Sequence, residues 1–296
     1  MNVYMFRVEN PENLDEVVRN ALESLNWKRF IEKDDKVLVK PNFLVSPKVG
    51  VTTSLDLVRS LVGILKERTS NVFVGETESI GKNLDKIIEE VDLGCEFVNL
   101  SKDKTVVVKG EYGVYRLPEL ALNSKLVNVP ILKTHALTKV TLGVKNLFGL
   151  IQDKDKRSYH WKIEGILLDL YRIFKPKLNI LDAVYSMDGY GPVSGRVRPT
   201  FFLVASNDAL TLDLATCRFV GLDPTTVDHL KMIMEHEKNV EYRLVGDLKF
   251  GWDFKVPDTR WEKKLAFFQH YWFTRILANR FTLKIMKKLL GLDRKK

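Results

Sequence analysis

Cysteine is scarce in this chain: Cys95 and Cys217 are the only two in 296 residues, far apart and each in an apolar setting. Two thiols supply neither the four ligands of an iron–sulfur cluster nor the paired spacing of a structural zinc site. They read as core cysteines of a protein in a reducing cytoplasm. Long hydrophobic runs are missing as well. No stretch approaches the roughly 20 uninterrupted apolar residues of a membrane span. Residues 1–10 lack the basic-then-apolar order of a secretory signal, so a cytoplasmic location is expected. There is no Gly-x-Ser-x-Gly elbow, no Walker-type phosphate loop and no His-Glu-x-x-His pair, which sets aside the hydrolase, nucleotidase and zincin chemistries those motifs carry. Glutamine is nearly absent too, with only Gln152 and Gln269 among many Lys, Arg and Glu. That bias leans toward a heat-adapted source.

What the chain has in excess is positive charge, 47 Lys+Arg against 38 Asp+Glu, a formal +9. The excess has one address. Residues 260–296 hold eleven basic residues and two acidic ones, Glu262 and Asp293, while residues 1–259 balance at 36 of each sign. A neutral body argues against nucleic acid as a partner, because phosphate contacts need Lys and Arg clustered on the domain itself. In the tail, Trp261, Leu265, Phe268, Trp272, Ile276 and Leu283 recur at helical spacing opposite Arg280, Lys284, Lys287 and Lys288. This is the pattern of an amphipathic helix that lies on a membrane surface or docks on a subunit. Residues 261–290 are therefore expected to make a peripheral contact with the inner face of the membrane or with a second copy of the chain.

Hydrophobic periodicity gives the fold class. Strands are predicted at 3–8, 37–40, 71–75, 96–100, 125–129, 178–184 and 201–205, with a hairpin at 105–109 and 114–117. Helices are predicted at 13–25, 54–67, 83–90, 138–150, 163–173, 210–220 and 225–236. Such alternation implies an α/β fold, a mostly parallel sheet with helices on both faces. One domain is expected over residues 1–255, followed by the basic aromatic helical tail over 256–296.

In open α/β sheets, ligands sit beyond the carboxyl ends of the strands. Lys40, Asn42, Thr52 and Thr53 follow one predicted strand and would suit an anion; equally, Thr53 or Ser54 caps the next helix and Lys40 reaches water. Lys133, Thr134 and His135 follow another strand, and Lys145, Asn146, Arg157 and His160 come after them. Lys145 lies among Leu142, Val144, Leu147 and Phe148, and desolvation there would lower its pKa and make it a usable nucleophile or base. His135, Lys145 and His160 are the catalytic candidates. Lys40, Asn42, Thr52, Thr53, Lys133 and Asn146 are the candidate binding set, and His160 with Asp182 the candidate metal ligands. Residues 182–195 read as a flexible loop over the site, with Asp182 and Asp188 as metal or hydroxyl partners, or else as a plain connecting loop. Glycines at 189, 191 and 195 imitate a dinucleotide fingerprint, but prolines and a strand follow where a helix would be required.

The strings VLVKPNF (37–43), VPILKTH (129–135), VTLGVKNLFG (140–149), Asp182 with MDGYGPVSG (187–195), and ASND (205–208) with Asp213 occur in this order. Together they resemble the domain-of-unknown-function family 362. Members are often labelled iron–sulfur centre proteins because many carry ferredoxin-type cysteines; this chain lacks them, so no cluster is expected. Nickel-pincer lactate racemases are a more distant likeness. There a histidine acts as acid/base, a following lysine tethers the nucleotide cofactor and a later histidine binds nickel, and the matching positions are His135, Lys145 and His160. The surrounding Lys-Asn-Leu-Phe-Gly departs from that family, so location carries over and activity does not. The expectation is an enzyme that binds an anionic small molecule or cofactor, with a divalent metal left open. The alternative is a non-catalytic binding or scaffold protein that docks through its tail.

Overall fold

A computed structural model describes residues 1–10, 13–238, 240–246, 249 and 253–257. Its strands are β1 (Asn2–Arg7), β2 (Val37–Lys40), β3 (Val72–Glu76), β4 (Glu96–Asn99), β5 (Thr105–Lys109), β6 (Val114–Pro118), β7 (Lys125–Asn128), β8 (Ile131–His135), β9 (Lys139–Thr141), β10 (Leu178–Asp188), β11 (Arg196–Ser206) and β12 (Arg243–Val245). The helices are α1 (Leu14–Ser24), α2 (Leu55–Lys66), α3 (Leu84–Glu90), α4 (Glu119–Leu122), α5 (Gly143–Asn146), α6 (Ile163–Phe174), α7 (Ala209–Phe219) and α8 (Asp228–His236). Apart from the β5–β6 hairpin, the strands form a single sheet in the order β12-β1-β11-β10-β7-β2-β3-β4, with β8 on β10 and β9 on β8. Neighbours from β10 to β4 are all parallel, and β11 is antiparallel to both β10 and β1.

Side-chain alternation along the strands explains the two layers. In β2, Val37 and Val39 join the core that holds α1, α2 and α3, while Leu38 points into the core that holds α6, α7 and α8. In β11, Leu203 and Ala205 share the first core, and Phe202 and Val204 the second. A strand buried on both faces reads as a continuous apolar run, which is how the parallel strands announce themselves in the sequence. The helix starts are set by short polar side chains: Ser54, Asn83 and Asp208 accept amide hydrogen bonds at the first turns of α2, α3 and α7. Among the described residues, no helix is long and apolar enough to cross a membrane.

Two predicted segments fold differently. Residues 138–150, expected as one helix, form strand β9, then the single turn α5, then a 3-10 turn at Leu147–Leu150. Lys139 adopts a left-handed φ of 63° and turns the chain back, antiparallel to β8, with Lys133 opposite Thr141 and His135 opposite Lys139. β-branched Thr138, Val140 and Thr141 suit that hairpin better than a helix. The first half of the supposed loop over 182–195 is strand, because β10 runs on to Asp188, and with β11 starting at Arg196 only 189–195 are left as the connection. The tail beyond residue 257, including the contact expected at 261–290, lies outside the described residues.

Candidate active site

Pro130 decides where the site lies. Lacking an amide hydrogen, it interrupts the ladder after Asn128, yet the chain continues straight on as β8 and pairs with the second half of β10. In register, Lys40 at the end of β2 stands opposite Asn128, so β8 carries Lys133 and His135 beyond the carboxyl end of β2. These two residues are separated by one position and share one side of the strand. The hairpin to β9 then delivers α5 above the same strand ends.

A chain of side-chain amides anchors α5. Asn146 donates to Lys40 O (3.2 Å) and to Asn128 Oδ1 (2.9 Å), and accepts from Asn42 Nδ2 (3.0 Å). Asn128 in turn donates to Gly143 O and to Asn179 Oδ1, each at 3.0 Å. Asn179 donates to Pro176 O (2.9 Å) and Ser206 O (3.2 Å). Asn128, Asn146 and Asn179 are buried, and each amide is tied in one orientation by its partners. At the other end of the turn, the Asp213 carboxylate accepts from Gly143 N (2.6 Å) and Val144 N (2.9 Å). A side chain at 143 would bring its Cβ within 2.9 Å of Asp213 Oδ1, so glycine is needed there.

The elements enclose a cavity of about 360 Å3 whose lining includes Lys40, Asn42, Phe43, Glu76, Lys82, Lys133, His135, Thr141, Lys145, Asn146, Phe148, Lys156, Arg157 and His160. Its cations are not equivalent. Lys40 is spent on the protein: its Nζ lies 3.0 Å from Glu76 Oε2 and 2.8 Å from Pro41 O. Against the upward push of burial, Lys40, Lys82 and the amides of Phe43 and Thr77 hold the Glu76 carboxyl below its ordinary value. Gly149 makes room for this pair, since a Cβ there would meet Lys40 Nζ at 2.7 Å.

Lys133, Lys145 and Lys156 have no carboxylate at ion-pair distance among the described residues. Lys133, 1% exposed, donates to Asn42 Oδ1 (2.9 Å) and Val51 O (2.5 Å). Lys156 donates to Glu78 O (2.7 Å) and Thr77 Oγ1 (3.2 Å). Lys145, 9% exposed, makes no hydrogen bond or ion pair to a described residue, and its Nζ sits 4.2 Å from the Phe148 ring centroid. Burial, and then the charge of Lys145, push Lys133 down to about 7. Burial, then Lys156 and Lys40, push Lys145 down to about 7. Burial, opposed by the charge of Glu76 and aided by Lys82 and Lys40, brings Lys156 to about 8.

The two histidines differ. His135 Nδ1 accepts from Leu137 N (3.1 Å) and Thr138 N (3.4 Å). Burial, then Lys145, holds its pKa well below the usual histidine value. The ring is therefore neutral and carries its hydrogen on Nε2, as a donor. His160 stacks on Phe148 at 5.8 Å, and burial followed by Lys145 takes it down to about 4.

Other sequence candidates lie elsewhere. Thr53 Oγ1 accepts from Asn42 N and donates to Val129 O, each at 2.8 Å, while Thr52 Oγ1 accepts from Lys48 N (2.8 Å) and donates to Lys48 O (3.1 Å). Both hydroxyls pin the loop after β2 and line no part of the cavity. Asp182 accepts from Ser54 N (2.8 Å) and Val184 N (3.1 Å), and burial lifts its carboxyl to about 6. It is not in the cavity wall with His160, so the fold does not unite that pair. Among the described residues, no three His, Cys, Asp or Glu side chains gather as a metal site. Asp188 is held by Arg196 at 3.0 and 3.1 Å. Sequence reasoning passed over Asn128, Asn179, Thr141 and Lys156. Asn128 and Asn179 carried a signal, an amide inside an apolar strand run, since such a group must find partners when buried.

Among curated proteins, the chain is 28% identical to a thylakoid-associated protein of Synechocystis sp. over 229 residues, 71% of each chain. No solved structure matches. The family described as "Domain of unknown function (DUF362)" matches residues 37–218, from the start of β2 into α7, which takes in β2, β8, α5 and every candidate residue named above. The chain belongs to that family.

Proposed function

We propose that this protein is an enzyme whose substrate is a small organic anion, a carboxylate or phosphate ester, bound in the cavity at the strand carboxyl ends. One observation carries the reading: Lys133, Lys145 and Lys156 converge on one cavity with no carboxylate at ion-pair distance among the described residues, because the lining carboxylates Glu76, Glu78 and Asp155 pair with Lys40, Lys154 and Arg157. Holding unpaired ammonium groups in such a place is unfavourable unless an anion completes them. Lys133 and Lys156 hold the anion, His135 donates Nε2–H, and Phe43 and Phe148 offer apolar contact. No metal enters this reading, because the candidate ligands His160 and Asp182 sit apart. Isothermal titration with inorganic phosphate, pyruvate and phenyl phosphate tests it. At least one should bind, and Lys156→Met should weaken that binding by about tenfold or more, as expected for a lost charge-assisted hydrogen bond. Absence of binding by all three, or equal binding by the variant, refutes the proposal.

A second reading, a scaffold that associates with a membrane surface through residues 261–290, draws support from the thylakoid-associated relative. Flotation of the full chain with anionic liposomes, compared with a chain ending at Pro257, decides it. Equal flotation of the two removes the tail as an anchor.

A further inference from the structure

We infer that Lys145 captures carbonyl compounds: its Nζ forms an imine with an aldehyde or ketone whose carboxylate or phosphate is held by Lys133 and Lys156. The inference rests on the anion-binding reading above and names the substrate class of that site.

The placement of Lys145 differs from that of every other lysine in the cavity. Lys40 has Glu76, Lys82 donates to Phe43 O, and Lys133 and Lys156 each donate to two oxygens. Lys145 alone among them has, among the described residues, only an aromatic face, 4.2 Å from the Phe148 centroid. It is rooted on a turn that cannot drift, with Asp213 on the amides of Gly143 and Val144 and the amide chain on Asn146. A lysine whose task is to hold an anion gains from staying charged, whereas this one is set among cations and packed against a ring. With its pKa at about 7, roughly half of it is free amine at neutral pH, against on the order of one in a thousand for an ordinary lysine. A free, fixed amine in a cavity is a nucleophile.

A second observation points to the electrophile. Thr141 Oγ1 is buried, makes no hydrogen bond to a described residue and belongs to a residue lining the same cavity, 4% exposed. A buried hydroxyl without a partner costs about 1–3 kcal/mol unless something arrives to bond it. Thr141 stands opposite Lys133 in the β8–β9 register. His135, two residues on and on the same side of β8, presents a ring whose hydrogen is on Nε2. The site thus offers an amine, two hydrogen-bond donors suited to an oxygen, and ammonium groups for a remote anion.

The chemistry balances without an oxidant or an activating cofactor. The Nζ lone pair adds to the carbonyl carbon, a C–N bond forms and the carbonyl π pair moves to oxygen, where Thr141 and His135 can stabilise it. One amine proton passes to that oxygen to give the carbinolamine. The second leaves nitrogen as the C–O bond breaks, and oxygen departs as water. Amine plus carbonyl become imine plus water. With a cavity of about 360 Å3, the compound is a small one.

The test uses the full chain with glyoxylate and, separately, acetaldehyde, each with cyanoborohydride, followed by peptide mass mapping. Glyoxylate should give a reduced adduct at Lys145 at least about tenfold faster than at exposed lysines, as its free-amine fraction requires. Excess inorganic phosphate should suppress the adduct, acetaldehyde, which lacks the carboxylate, should show a clearly smaller preference, and the fast phase should vanish in Lys145→Met. Adducts spread evenly over exposed lysines overturn the inference, as does an equal preference with acetaldehyde. Calorimetry with phosphate on the same preparation separates the two levels. Phosphate binding without a Lys145 adduct sinks the imine and leaves the anion site standing; neither binding nor adduct sinks both.

Discussion

The depressed lysines make stability rise with pH over a range where most proteins are flat, and the size of the rise can be worked out. Lys133 and Lys145 both titrate at about 7 in the folded protein, against 10.5 for an ordinary lysine. Between those values the unfolded chain binds more protons than the native one, so the free energy of unfolding increases as pH rises. A single lysine that is half protonated at about pH 7 and almost entirely free base at about pH 9 contributes roughly 2 kcal/mol over that interval. The pair does not give twice this. Lys145 is second to burial in pushing Lys133 down, so the first proton lost relieves the remaining ammonium, and the net gain lies nearer to one lysine than to two. For a chain of this size, about 2 kcal/mol corresponds to a rise of about 3 °C in Tm.

The assay is urea denaturation in a buffer free of multivalent anions, at about pH 7 and about pH 9, for the wild type and Lys145→Met. Methionine keeps most of the side-chain volume and removes the charge. The variant should be more stable than the wild type at neutral pH and should show a smaller rise. His135 and His160 are already neutral at pH 7. Asp182, at about 6, completes its ionisation early in the window, which works slightly against the rise. Phosphate added at neutral pH should raise the wild type most and flatten its pH dependence. A wild type no more stable at the higher pH, or a variant with the same rise, refutes the account of unpaired buried ammonium groups.

Three further outcomes follow from packing and pairing. Gly149→Ala should destabilise by about 1–3 kcal/mol in thermal melts, because its Cβ would lie 2.7 Å from Lys40 Nζ and displace the pair with Glu76. Asn146→Ala should lower stability by roughly 2–4 kcal/mol in urea titrations, leaving Asn128, Asn42 and the Lys40 carbonyl each short of a partner. Lys40→Met strands Glu76 in a buried position and should lose about 3–5 kcal/mol, whereas the double variant Lys40→Met/Glu76→Gln should recover part of that loss. Additive single losses in that cycle would show that the two groups do not act as a pair.

The parallel core was legible because strands buried on both faces leave unbroken apolar runs, as at Val37–Val39 and Val72–Val74. The helices with a Ser, Asn or Asp cap were legible for a local reason as well, since a cap acts within its own turn. Residues 138–150 were not, because two opposing signals overlap there. Leu142, Val144, Leu147 and Phe148 keep a helical spacing, but the turn at Lys139 and the start of α5 are set by partners distant in sequence. Asp213, 70 residues away, fixes the amide of Gly143, and Lys133 pairs with Thr141 in the hairpin. Of the cavity residues, Lys133 and His135 could be picked out from their position after a predicted strand, and Lys145 and Asn146 from the apolar, glycine-containing segment that follows. Their grading could not. Nothing local to Lys40 says that Glu76, 36 residues on, will take its charge, and nothing local to Thr52 and Thr53 says that their hydroxyls will be used to hold a loop.

That grading is the physical content of the site. Carboxylates near the cavity are already committed: Glu76 to Lys40, Glu78 to Lys154 and Asp155 to Arg157. The groups that face Lys133, Lys145 and Lys156 are instead an asparagine oxygen, main-chain carbonyls, a threonine hydroxyl and a phenyl ring. Each supplies partial negative charge and fixes direction, and none carries a formal charge to cancel an ammonium. A carboxylate in place of one of these side chains would supply the formal charge that the proposed anion is expected to bring. Asn42 is the clearest case, because it receives Lys133 on its oxygen and donates its nitrogen to Asn146. Asn42→Asp would neutralise Lys133 but would set a carboxylate oxygen against Asn146 Oδ1. The amide therefore serves both ends: it leaves Lys133 without a formal counter-charge while α5 stays anchored.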